Sequence, residues 1–175
     1  MSITKIQSES LNLADTYDFT GTVTGAGGTN TPAFEAKPGS ITDIGYTGVW
    51  TKINYDTETF DVGSNYDTTN KRFLPTTAGK YFVYYSVHFY GDIGNTISDV
   101  RATIYKNGSE YGIARTSWIS TSIDFSGAMM NGFAIMDLNG SSDYVEIYGF
   151  SQDVSVGSTD ISPTKSLFGA YKIIE

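Results

Sequence analysis

The chain has 175 residues, nineteen acidic against eleven basic, a formal charge of -8 and no cysteine. That length suits one hydrophobic core with modest extensions, and the missing thiols exclude disulfides, thiolate nucleophiles and sulfur-ligated zinc. The negative balance repels phosphate backbones and anionic membranes, so nucleic acid is not an expected partner.

Residues 1–32 read as a segment apart from the rest. MSITKIQSESLNLADTYDF lacks the basic flank and unbroken apolar stretch of a signal peptide, and no later segment approaches about eighteen apolar residues, so membrane insertion is not expected. GTVTGAGGTN is a flexible spacer: it is glycine-rich but has no Gly-Lys-Ser/Thr ending for cradling phosphate. Ile3, Ile6, Leu11, Leu13, Tyr17 and Phe19 are spaced apolar residues that a solvated tag would not need, and they predict an arm for assembly or docking.

The chain's thirteen tyrosines, ten phenylalanines and nineteen glycines point to strands joined by turns, and from Ala33 onward the signals are those of an antiparallel all-β domain. AFEA is a short first strand, and ITDIGYTGVWTKINYD holds one or two more. NKRFLPTTAGKYFVYYSVHFYG follows, with Pro75 and Gly79 punctuating the entry to a long strand. In that strand Tyr81, Val83, Tyr85, Val87 and Phe89 share one face, and Phe82, Tyr84, Ser86, His88 and Tyr90 the other. Both faces carry large apolar area, which predicts a central strand.

VRATIYKNGSEYGIART reads as a hairpin turning at Asn107-Gly108. FSGAMMNGFAIMDL and DYVEIYGF are two further strands flanking NGSS, and SLFGAYKII closes the chain after the polar SQDVSVGSTDISPTK. About seven to ten short strands at this spacing predict a sandwich or jelly roll.

The chemical signals are sparse. His88 is the single histidine, lies inside the aromatic strand and has no neighbouring nucleophile motif, so it reads as a satisfied structural residue. Asp92, Asp99 and Asp153 sit in segments that a sandwich would bring near one another, yet they lack calcium-loop spacing, and a metal site stays an open question. The Asn107 and Asn139 Asn-Gly-Ser sequences suit hairpin turns better than glycosylation, and no cofactor is implied. Trp50, Tyr66, Trp118 and Tyr148 are aromatic groups for either packing or stacking on sugars. The segments 90–98, 117–124 and 151–163 are the loops where variable recognition would reside.

FDVGSNYDTTNKRFLPTTAGKYFVYY resembles the signature of the C1q domain in the C1q/TNF-like superfamily, through Phe60, Tyr66-Asp67, Phe73 and the run from Gly79 to Tyr84. IYKNG, AIMDLNGSSDYVEIY and SLFGAYKII resemble later features of that family in the expected order, over roughly Ala33 to Ile174. Ser141-Ser142 enlarges one element and Phe168-Gly169 lacks an intervening serine. The resemblance implies an all-β, ten-stranded antiparallel jelly-roll sandwich that forms a compact homotrimer and binds partners rather than catalysing. It places Phe60, Phe73, Tyr81 and Phe168 in the core and Tyr84 and Tyr148 at the trimer interface.

No collagen-like stalk is present, and the arm is similar to leaders of small structural proteins of tailed phages. The expectation is a non-enzymatic trimeric virion protein on the tail or capsid surface, held to other virion proteins by residues 1–32. Residues 33–175 would then serve as a short tail fibre or host-recognition head, with host-surface polysaccharide as a candidate ligand. A capsid decoration protein and a bacterial lectin-like C1q protein are the alternatives.

Overall fold

The computed structural model describes residues 30–91, 97–120, 126–153 and 158–174. The arm residues Ile3, Ile6, Leu11, Leu13, Tyr17 and Phe19 lie outside these, as do the tips of the three loops named above. In chain order the strands are β1 (Ala33–Lys37), β2 (Thr42–Asp43), β3 (Thr51–Lys52), β4 (Thr57–Val62), β5 (Tyr66–Asp67), β6 (Arg72–Phe73), β7 (Ala78–Gly91), β8 (Ile97–Lys106), β9 (Ser109–Glu110), β10 (Thr116–Ile119), β11 (Gly127–Asn139), β12 (Val145–Asp153), β13 (Thr159–Ile161) and β14 (Leu167–Ile174). Five of these fourteen are two-residue ladders, which is why the count exceeds the ten expected.

The strands form two antiparallel seven-stranded sheets. The first runs β2-β13-β7-β14-β1-β4, with β11 on the other edge of β7, and the second runs β10-β8-β12-β6-β5, with β3 on β12 and β9 on β8. β7 organises the first sheet because it is long enough to hold β14 along one half of an edge and β13 along the other, while β11 follows its opposite edge from Tyr90 to Ala78.

Alternation decides what each strand buries. Tyr81, Val83, Tyr85, Val87 and Phe89 point inward and are nearly or fully excluded from solvent, as the period of two requires. They meet Val100, Ala102 and Ile104 of β8 and Val145 and Ile147 of β12 in one core. One end of that core is aromatic: Phe34 stacks on Tyr66 and Phe73 with centroids 4.5 and 4.6 Å apart and meets Phe168 edge-on at 4.9 Å. Phe73, Tyr81 and Phe168 are therefore core residues as expected, each with no exposed area.

Phe60 is not, and is 44% exposed. β4 is the outermost strand of its sheet, and Phe60 lies across from Glu35, whose neighbour Phe34 is the residue that points inward. Cross-strand partners share a face, so Phe60 is turned outward with Glu35.

Two local devices hold the sandwich in register. The Asn107-Gly108 turn has positive φ at both residues, 53° and 75°, as a two-residue hairpin needs. Its Asn107 side chain then donates to Asp143 Oδ1 at 2.7 Å and accepts from the Tyr144 amide at 2.9 Å. Asp143 also accepts from the Asn139 amide and pairs with Lys106, so the two turns at this end are tied together.

The second device crosses between sheets. Gly132 on β11 faces Tyr85, and a Cβ at this glycine would lie 2.4 Å from the ring of Tyr85. The space lets the Tyr85 hydroxyl reach Ala114 O at 2.7 Å, Ala102 O at 2.9 Å and Thr116 Oγ1 at 3.0 Å. Its single proton serves one carbonyl at a time, and the Thr116 hydroxyl can donate to its oxygen.

Candidate functional site

The outward residues of the first sheet form continuous rows across five strands. One row is Phe60, Glu35, Gly169, Tyr84 and Phe133, and the next is Val62, Ala33, Tyr171, Phe82 and Ile135. Phe82 sits at the centre, with ring centroids 5.5 Å from Tyr171, 5.6 Å from Phe133 and 6.0 Å from Tyr84. Phe133 and Ile135 are 67% and 58% exposed, so the rings do not bury themselves against one another. Met129 continues the surface along β11. A contiguous apolar face of this kind marks an interaction site, unlike scattered exposed residues.

Gly169 shapes the middle of the face. A Cβ there would stand 2.4 Å from the Tyr84 ring, so glycine lets Tyr84 lie flat across β14. Its hydroxyl then donates to Glu35 Oε2 at 3.2 Å on β1. Burial, and then the Glu35 carboxylate, push the Tyr84 phenol up to about 12, which keeps it neutral and a donor across the ordinary pH range. Glu35 is the one carboxylate in these two rows.

The ends of the face are polar. At one end Lys80 Nζ meets both Asp137 oxygens at 2.7 and 2.9 Å. At the other, His88 lies across from Met129 and stacks on Tyr90 with centroids 6.0 Å apart. The expectation of a satisfied histidine fails at Nδ1, which is buried without a hydrogen-bond partner among the described residues. Burial, assisted by Lys165, holds the imidazole below the usual histidine range.

The outer face of the second sheet has a different character. Trp50, Tyr105, Tyr148 and Phe150 cluster there, with Tyr148 stacked on Tyr105 at 3.9 Å and Trp50 5.4 Å from Phe150. Guanidinium groups cap the rings, Arg101 over Phe150 at 4.7 Å and Arg115 over Trp50 at 5.5 Å. Each cation is held by a carboxylate, Arg101 by Asp99 and Arg115 by Glu110. Thr103 beneath them is fully buried and the rings above it are half-buried, so this cluster is a satellite that covers the outer side of the sheet.

Tyr84 and Tyr148 are thus separated onto opposite outer faces. Val145 and Ile147 of β12 point inward, which turns Tyr148 out on the second sheet, and only Tyr84 lies on the open apolar face. Of the aromatic groups proposed for sugar stacking, Tyr66 is core, Trp50 and Tyr148 belong to the capped cluster, and Trp118 is 54% exposed on β10. Asp99 is occupied by Arg101, and the described residues contain no group of three or more His, Asp or Glu placed to hold a metal ion. Among the described residues no helix is long and apolar enough to cross a membrane.

Sequence reasoning missed Phe133, Ile135 and Tyr171. The signal was present in GAMMNGFAIMDLN, where Ala134, Met136 and Leu138 take the core and the alternate positions Met129, Phe133 and Ile135 are apolar as well. That doubly apolar pattern matches the one in β7.

Comparison with solved structures places the fold. The globular domain of zebrafish complement 1qA aligns with 82% of this chain and 98% of its own at TM-score 0.54 and 11% identity. Eiger TNF from S. frugiperda aligns at 0.56 and 10% identity, over 82% of this chain and 92% of its own. Murine APRIL at pH 5.0 aligns at 0.55 and 13%, over 81% and 98%. No protein-family model and no curated protein matches the sequence. Over most of its length the chain has the all-β sandwich fold of C1q/TNF-like proteins.

Proposed function

We propose that the chain is a non-enzymatic module that works as a homotrimer on the surface of a virion, attached through residues 1–32. The observation that carries the assembly is the open apolar face on the first sheet, since full burial of an exposed ring is worth roughly 1.5–3 kcal/mol and the exposed parts of Phe82, Phe133 and Tyr171 would each gain a share of that. The β10 edge of the second sheet offers a second apolar surface. Ile113, Trp118 and Ile119 are 84%, 54% and 56% exposed there, Trp118 on the side of Val100 and Ile119 on the side of Asp99. An apolar face and a separate apolar edge on one chain allow a head-to-tail contact, which closes when the rotation between copies is a simple fraction of a turn. The likeness of the fold to C1q/TNF-like proteins favours three.

The attachment reading rests on the spaced apolar residues of the arm, Ile3 to Phe19, ahead of a compact domain. A trimeric head would present three copies of each weak surface contact at once and gain avidity for a repetitive ligand such as host-surface polysaccharide. The tail-fibre role is the reading favoured here, and capsid decoration uses the same arm on the shell.

Sedimentation velocity on the purified chain should give three times the chain mass, and Phe133→Asp should give a monomer whose unfolding free energy stays within about 0.5 kcal/mol of the parent measured as the dissociated chain at low protomer concentration, as for other exposed substitutions. A wild-type monomer at high protomer concentration would overturn the assembly. Immunogold labelling of particles with antibody to residues 34–175 tests attachment: gold at the tail tip supports the fibre, gold over the head supports decoration, and label on cells alone refutes both in favour of a lectin-like role.

A further inference from the structure

His88 is the one histidine in the chain, and its position does not follow from a role in the core, because its side chain points away from it. The backbone fixes where the ring stands: the His88 amide donates to Ser166 Oγ at 3.0 Å and its carbonyl accepts from the Ser162 amide at 3.0 Å. The imidazole therefore sits at a set place on the apolar face, across from Met129, which is 42% exposed. Nδ1 is already shielded from solvent with no hydrogen-bond partner among the described residues.

We propose that His88 makes the association of this face with a second copy of the chain depend on pH, so that copies associate while the imidazole is neutral and separate when it takes up a proton. The inference rests on the assembly reading above.

The surroundings set the sign. From β7 itself the imidazole meets Tyr90, and from β11 it meets Met129, with Asn131 one step along the same face. From β13, Asp160 lies across from Tyr90, whose phenol is lifted by burial and then by that carboxylate. From the segment before β14, Lys165 brings a positive charge that opposes protonation. β14 contributes Leu167, across from Ser86. A second copy covering the face would remove water from the one side still open, and a charged imidazole there costs far more than a neutral one.

Protonation is disfavoured in the free chain and more so in the assembly, so association is full above the free chain's His88 pKa and weakens as pH falls through it. With the imidazole held below the usual range, the window lies under about pH 6.5. Glu35, a carboxylate on the same face, accepts a hydrogen bond from the Tyr84 hydroxyl on β7.

The test is sedimentation velocity between pH 8 and pH 5 at fixed protomer concentration and ionic strength, on wild type, His88→Gln and Lys165→Gln. The expected result is dissociation of the wild type on acidification, by up to tenfold per protomer for each pH unit. His88→Gln should remain assembled throughout, and Lys165→Gln should dissociate at higher pH than wild type. His88→Asn provides the same readout should the glutamine variant misfold. Wild-type assembly unchanged down to pH 5, or the same fall in both His88 variants, overturns the proposal while leaving the assembly standing. A monomer at every pH removes the assembly itself, and the proposal with it.

Discussion

Gly132→Ala tests the contact that joins the two sheets. The new Cβ would stand 2.4 Å from Tyr85 Cζ and Oη and 2.6 Å from Cε1, far inside van der Waals contact. Tyr85 is 2% exposed and closely packed, so its hydroxyl must leave the carbonyls of Ala102 and Ala114. Overpacking costs roughly 1–3 kcal/mol, and leaving a buried hydroxyl and its acceptors unpaired adds roughly 1–3 kcal/mol. A loss of about 2–6 kcal/mol is therefore expected, measured by urea unfolding followed through tryptophan fluorescence at fixed protomer concentration. The same substitution in a Tyr85→Leu background meets no phenol and should cost under about 1 kcal/mol. The cycle should return a coupling of about 2 kcal/mol, and equal costs in both backgrounds within about 0.5 kcal/mol would refute the reasoning.

Two further outcomes follow from buried and exposed groups. Asp143→Asn should lose roughly 2 kcal/mol at pH 7, because the carboxylate accepts from Asn107 and Asn139 and pairs with Lys106. These partners, Asn107 first, hold the Asp143 carboxyl below its ordinary value, so its stabilisation is present above about pH 4 and fades as pH falls through the native pKa; the gap between variant and parent should close by about pH 2 in an acid series of urea curves. Phe168→Ala should cost about 3–5 kcal/mol, while Phe60→Ala should cost under about 1 kcal/mol in the dissociated chain, as thermal unfolding at low protomer concentration would show.

The fold is legible in the sequence because its central elements obey a strict period. The alternation of β7 sorts Tyr81, Val83, Tyr85, Val87 and Phe89 onto one face, the family resemblance turns that face inward, and the Asn107-Gly108 pair names its own turn. Phe60 misleads because an edge strand with one sheet neighbour can carry a phenylalanine on its outer side, and nothing in TETFDV says which side faces the core. Tyr84 and Tyr148 look alike in sequence because each is an outward tyrosine on a central strand. Only the sheet order shows that the strands belong to different sheets. The glycines at 132 and 169 are equally silent, since the room they leave is for rings on another strand, Tyr85 and Tyr84.

The two outer faces use similar side chains to opposite ends. On the second sheet the rings of Trp50 and Phe150 are covered by Arg115 and Arg101, whose charges are already answered by Glu110 and Asp99. That arrangement keeps aromatic area within the chain and leaves its polar groups toward water. On the first sheet Phe82 and Phe133 stack with no cation over them among the described residues, Ile135 stands open beside them, and the ion pair of Lys80 with Asp137 lies at the end of the face. The chain can therefore cap an aromatic cluster where one is to stay in solvent, and the described residues do not cap this one. An uncapped face favours burial by another surface, while the capped face has little to gain from it. The expected assembly is accordingly one-sided, with β7, β11 and β14 inside and the Trp50 cluster outside, where a recognition surface would have to lie.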